Sequence, residues 1–74
     1  MKEREVINVL HWEFWVDEDE PNQFVVYEIR EGDVIGVIEM TEDLPDNIKD
    51  LEKMLEGKLE QDVYDFIDEN IEYC

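Results

Sequence analysis

Serine is missing from this chain, and threonine, histidine and cysteine occur once each, as Thr41, His11 and Cys74. A serine-based catalytic triad is therefore impossible, and Cys74 has no evident base beside it. One histidine with no cysteine nearby makes no zinc site, so His11 reads as an ordinary strand residue. A lone cysteine closes no internal disulfide, and at the last position it lacks the three following residues of a prenylation box. It reads as a free thiol on a frayed end. With three glycines in all, there is no glycine-rich phosphate loop. Long apolar runs are missing too. Nothing is long enough to span a bilayer, and no basic stretch leads into an apolar one as in a signal peptide. The expectation is a soluble, cytoplasmic protein with no catalytic residues, no metal site and no cofactor.

Basic residues are scarce: six Lys and Arg stand against 23 Asp and Glu, a formal net charge of −17 in 74 residues. A small domain usually carries a net charge of magnitude ~2–8. Such an excess repels itself and opposes compaction, which points to a specific use. DNA, RNA and an anionic lipid leaflet would all be repelled, so nucleic acid and membranes fall away as direct ligands. A polyanionic surface instead suits a basic protein partner. The chain is not a disordered acidic tail, because 43% of it is hydrophobic and it carries two Trp, three Tyr and three Phe. Residues 1–74 are expected to form a single acidic domain. A domain near this size buries only ~60% of its unfolded surface.

The pattern predicts an α+β fold: a three-stranded antiparallel meander followed by one or two C-terminal helices packed on one face. The first strand is expected over residues 5–16. Its even positions, Val6, Asn8, Leu10, Trp12, Phe14 and Val16, form the more apolar face, while Ile7, Val9 and Trp15 make the other face partly apolar. That two-sidedness suggests a central strand or a dimer contact, although the charge opposes a dimer; monomer and homodimer both stay open. Asp17 to Asn22 reads as a turn, 24–30 as the second strand, Glu31-Gly32-Asp33 as a tight connection and 34–40 as the third strand. Gly36 inside it marks a bulge or the close approach of another backbone. From 43 onward the period becomes helical: Leu44, Ile48, Leu51 and Leu55, then Leu59, Val63, Phe66, Ile67 and Ile71. Gly57 is expected to break this into two helices.

The acids are unmixed near the end. Residues 59–74 contain Glu60, Asp62, Asp65, Asp68, Glu69 and Glu72 and no Lys or Arg. On one continuous helix Asp62, Asp65, Glu69 and Glu72 share a face, with axial steps of ~4.5–6 Å. Like charges at this spacing repel, and acids near a helix C-terminus oppose its dipole. The stripe costs stability, the mark of a surface selected for something else. It is sparser than duplex DNA, with a charge every ~3.4 Å per strand, so imitation of a duplex needs further carboxylates. Asp46, Asp50, Glu56 and the loop of Asp17, Glu18, Asp19 and Glu20 are available.

Other constellations are weaker. Asp17, Asp19 and Glu28 match three positions of an EF-hand loop, but Pro21 and Asn22 spoil the middle and the flanks read as strand. Among so many acids a close carboxylate pair is expected by chance, so none is assigned acid–base work. Trp12 and Phe14 read as core. Trp15 points the other way, beside the acidic loop, in the manner of a binding anchor. Tyr64 and Tyr73 lie off the apolar stripe, among the carboxylates.

In composition and size the chain resembles the small acidic proteins that phages use against host defence, including anti-CRISPR proteins and DNA-mimic inhibitors of restriction enzymes or glycosylases. The resemblance lies in charge and length across the whole chain and assigns no residue a role. It implies a stoichiometric inhibitor, acting in the host cytoplasm, that imitates nucleic-acid charge and blocks the basic groove of a nucleic-acid-binding protein or nuclease complex. The alternative from the residues is an acidic protein–protein interaction module, such as an antitoxin or transcription-machinery adaptor, whose aromatic strand surface binds its partner. The expected partner-binding set is Asp62, Asp65, Glu69, Glu72, Glu60, Asp68, Asp17, Glu18, Asp19, Glu20, Trp15 and Tyr64.

Overall fold

The computed structural model describes residues 5–73; Cys74 lies outside them. The fold is α+β, with a five-stranded antiparallel sheet in place of the expected three strands, and two helices. The elements are β1 (Val6–Val9), β2 (Trp12–Val16), β3 (Gln23–Glu28), β4 (Asp33–Glu39), α1 (Ile48–Leu55), α2 (Glu60–Asn70) and β5 (Ile71–Tyr73), and the strands lie in chain order across the sheet.

One of the two extra strands comes from splitting the expected first one into β1 and β2. The chain reverses at Leu10-His11, so that Val9 faces Trp12 and Ile7 faces Phe14. A two-residue reversal changes which parity faces inward. Ile7 and Val9 are buried on β1, Trp12 and Phe14 on β2, and all four lie on one face of the sheet. The apparent two-sidedness of the 5–16 segment is the two arms of a hairpin, and the argument for a dimer drawn from it falls. The turn carries no Gly, Asn or Pro; Leu10 itself takes the positive φ, at 55°.

The remaining extra strand is β5. Ile71 continues the helical spacing from Ile67, yet α2 stops at Asn70, whose side-chain amide donates to the carbonyl of Phe66 at 2.8 Å. The next three residues pair with β4, satisfying an edge that would otherwise present unpaired backbone groups. Gly36 makes this possible. A Cβ there would run into the carbonyl oxygen of Glu72 and the side chain of Ile71. The register of β3 against β4 also shifts here: Val26 faces Gly36 and Tyr27 faces Val34, leaving Ile35 as the extra residue of a bulge. Both features anticipated for Gly36 are present.

Helix α1 begins at Ile48, later than the 43–44 start the periodicity predicts. Asn47 is the cap, its side-chain oxygen accepting the Lys49 N–H at 2.8 Å. Thr41–Leu44 forms a turn instead, and Leu44 still packs on the core from it. At the break between the helices Gly57 has φ 79°.

Ile48, Leu51 and Leu55 of α1 and Val63 and Ile67 of α2 pack on Ile7, Val9, Trp12, Phe14, Phe24, Val26 and Ile38 in one core. Fully burying each large side chain contributes ~1.5–3 kcal/mol, the main favourable term in a domain this small. Both helices cover the same face of the sheet. The 10–11 and 29–32 turns and the α1–α2 connection share one end of it. The 17–22 loop and the β4–α1 connection share the other, joined by the Met40 N–H to Asn22 C=O bond at 2.8 Å.

Candidate interaction surfaces

Three surfaces carry chemistry. The first is the solvent face of α2. Asp62, Asp65, Asp68 and Glu69 are all exposed there, and no basic residue occupies the last turn. Asp65 accepts the side-chain amide of Gln61 one turn earlier at 2.9 Å. Asp68 accepts the phenolic O–H of Tyr73 at 2.7 Å. That carboxylate holds the Tyr73 pKa above its usual value, because a phenol donating to an anion, and close to it, resists ionisation; desolvation and the nearby Tyr64 act in the same direction. The stripe is shorter than the sequence suggested. Glu72 is not on the helix but in β5, in register with Val37, on the far side of the sheet.

The second surface is the sheet face that no helix covers. Val6, Trp15, Val25 and Val37 lie across it in one register row, with Tyr27 and Val34 in the next. The rings of Trp15 and Tyr27 sit 6.0 Å apart. Glu13, Glu39 and Glu72 stand on the same face, and none of the five strands contains Lys or Arg. The acidic loop lies at one end of this sheet. It is folded on itself: Asp17 accepts the Asp19 N–H at 2.9 Å and the Gln23 amide at 3.1 Å, while Glu18, Asp19 and Glu20 are exposed. The expected binding set therefore divides between layers. The α2 acids and Tyr64 belong to the helical layer, and Trp15 and Glu72 to the opposite face.

The third surface was not anticipated. His11, Glu28, Arg30 and Glu60 meet at the end of the sheet that carries the turns. Arg30 Nη2 lies 2.9 Å from His11 Nε2, and His11 Nδ1 lies 3.6 Å from Glu60 Oε1. Glu28 is 8% exposed. It accepts the Arg30 N–H at 2.9 Å and lies 3.5 Å from His11 and 3.7 Å from the Arg30 Nε. A buried carboxylate is costly unless so partnered. Trp12 supports the cluster from below, its ring 3.8 Å from that of His11, and Tyr64 stands 6.4 Å from Trp12. Together they wall an open cleft of about 740 Å³. His11 is thus a half-buried turn residue in a polar network, and not the plain strand residue it reads as. Glu60 is drawn into this network, 4.0 Å from Arg30, and away from the α2 stripe. No group of three or more potential ligands among the described residues is arranged to hold a metal ion. No described helix is long and apolar enough to cross a membrane.

No family model, curated protein or solved structure matches the chain.

Proposed function

We propose that the chain is a stoichiometric inhibitor that imitates nucleic-acid charge and occupies the basic groove of a nucleic-acid-binding protein or enzyme. It acts by binding and not by turnover. The observation that carries the reading is the outer face of α2, where Asp62, Asp65, Asp68 and Glu69 stand exposed with no cation on the helix. The contrast with α1 supports it, since Lys49 and Lys53 there offset Asp50 and Glu52. One helix is solvated in the usual mixed way and the other is not. In keeping with the resemblance to phage anti-defence proteins, the target classes are a CRISPR effector, a restriction enzyme, a repair glycosylase or a nucleoid protein.

The mechanism is electrostatic. Complementary charge speeds encounter and makes affinity fall as salt rises. The test is affinity capture from a host lysate at ~50 mM salt with elution by a salt gradient, comparing the wild type with the Asp62→Asn, Asp65→Asn, Glu69→Gln triple variant. A basic nucleic-acid-binding protein retained only by the wild type supports the reading; equal retention by both defeats it.

One observation favours a second reading. The uncovered sheet face presents Trp15 against Tyr27 among valines, opposite to α2. An acidic interaction module would bind through it, with the carboxylates serving to steer. Trp15→Ala would then weaken capture more than the triple charge variant does.

A further inference from the structure

The sheet face opposite the helices carries one continuous apolar row. Val6, Trp15, Val25 and Val37 are register neighbours on β1 to β4, and the row ends at Glu72 on β5. With strands ~4.8 Å apart, four such residues cover about 14 Å. Tyr27 stands two residues along β3 from Val25, its ring 6.0 Å from that of Trp15. Val25, at 9% exposure, is the enclosed centre of the row, and Val6, at 43%, is open at its end. The helices pack on the other face of the same strands, so neither covers this one.

Charge and hydrogen bonding together define what fits. Glu13, Glu39 and Glu72 surround the row, and none of the five strands contains Lys or Arg. A second copy would set three more carboxylates against these three and bring no cation. Nucleic acid and anionic lipid are repelled for the same reason. The occupant is therefore cationic and carries apolar side chains. β2, β3 and β4 each pair on both sides, so their backbone N–H and C=O groups are engaged in the sheet. The face offers side chains only, and whatever lies on it must satisfy its own backbone groups. A helix does so. Its diameter of ~10–12 Å matches two strand spacings, and its turns, ~5.4 Å apart, fall near the ~6.8 Å between Val25 and Tyr27. A helix lying along β3 would have Glu13 on one flank and Glu39 and Glu72 on the other.

We propose that this face docks an amphipathic helix of a protein partner, apolar along one stripe and flanked on both sides by Lys or Arg. The stripe packs on Trp15, Val25, Tyr27 and Val37, and the basic flanks meet the three glutamates. Complementary charge orients the helix, and the aromatic pair anchors it. The inference rests on the reading of this face as an interaction surface. It does not depend on charge mimicry by α2, which lies on the opposite side of the sheet.

The experiment titrates the isotope-labelled full chain with model peptides of about five helical turns, followed by NMR and circular dichroism at ~150 mM salt. Three peptides are compared: leucines at helical spacing flanked by lysines, the same composition scrambled, and the same leucine stripe flanked by glutamates. The lysine peptide should shift the Trp15 indole and the amides of β2 to β4, and gain helix as it binds. It should bind at least ~10-fold more tightly than its scramble, the difference one apolar anchor makes. The glutamate peptide should not bind. Trp15→Ala should weaken the lysine peptide ~10-fold. Glu13→Gln with Glu72→Gln leaves the apolar row intact and should weaken it ~2–10-fold, as expected for two exposed ion pairs. The Asp62→Asn, Asp65→Asn, Glu69→Gln variant should bind it within ~2-fold of the wild type, because those charges lie on the other side and are screened. Equal binding of the lysine peptide and its scramble, shifts confined to α2, a bound peptide that gains no helix, or binding of the glutamate peptide would overturn the proposal. So would a Trp15 indole signal that moves on dilution of the chain alone, which would place a second copy on the face. If the lysine peptide fails while Trp15→Ala still loses capture from the lysate, the interaction surface stands and this partner chemistry falls.

Discussion

Replacing Glu69 by Lys should stabilise the fold. Glu69 is exposed in the last turn of α2, one turn beyond Asp65. Three effects act together. The like-charge repulsion with Asp65 is removed and replaced by attraction, each worth ~0.2–0.5 kcal/mol, with the acid N-terminal to the lysine as the better orientation. A charge that opposes the helix dipole becomes one that complements it, at ~0.3–1 kcal/mol for each sign at low ionic strength. The net negative charge also falls by two units, easing self-repulsion. The expected gain is about 1–2 kcal/mol, or roughly 5–10 °C in Tm for a domain of this size. Thermal unfolding followed by circular dichroism at low and high salt measures it. The gain should shrink as salt screens the charges, and the same variant should capture the target less well. An unchanged or lowered Tm at low salt, or a gain indifferent to salt, would refute the claim that the stripe is held at the expense of stability.

Gly36→Ala should destabilise by ~1–3 kcal/mol, the usual range for overpacking, because the new methyl meets the Glu72 carbonyl; hydrogen exchange should show the loss concentrated in the amides of β5. Phe14→Ala, at a fully buried position, should cost ~3–5 kcal/mol and leave little of the folded state in a denaturant titration. Tyr73 should ionise after an ordinary tyrosine, because Asp68 favours the neutral phenol. Since its folded pKa is the raised one, the stability it contributes is complete below the unfolded tyrosine pKa and is lost as pH rises through the folded value. Absorbance titration of tyrosinate should show this late transition disappear in Tyr73→Phe or Asp68→Asn.

What the sequence revealed depended on how local the deciding interaction was. The acidic face of α2 follows from spacing within one helix, so Asp62, Asp65 and Glu69 were legible. Gly57 and Gly36 were legible because glycine answers to a backbone need that a reader can name. The Leu10-His11 reversal was hidden because the residue taking positive φ is leucine, which gives no turn signal, and the hairpin's two buried parities looked like one strand with two apolar faces. β5 was hidden because Ile71 keeps helical register with Ile67, while the pairing that overrides it comes from β4, more than thirty residues earlier in the chain. Glu72 moved with it. The His11–Arg30 contact joins residues from separate turns, nineteen positions apart, and no local pattern announces it.

The charge-mimic account is tested most directly by competition. The chain, immobilised and loaded with its captured target at low salt, is challenged with the DNA or RNA that the target binds. The account predicts that the oligonucleotide releases the target, because both ligands claim the same basic groove. A complex that holds chain, target and nucleic acid together would contradict it.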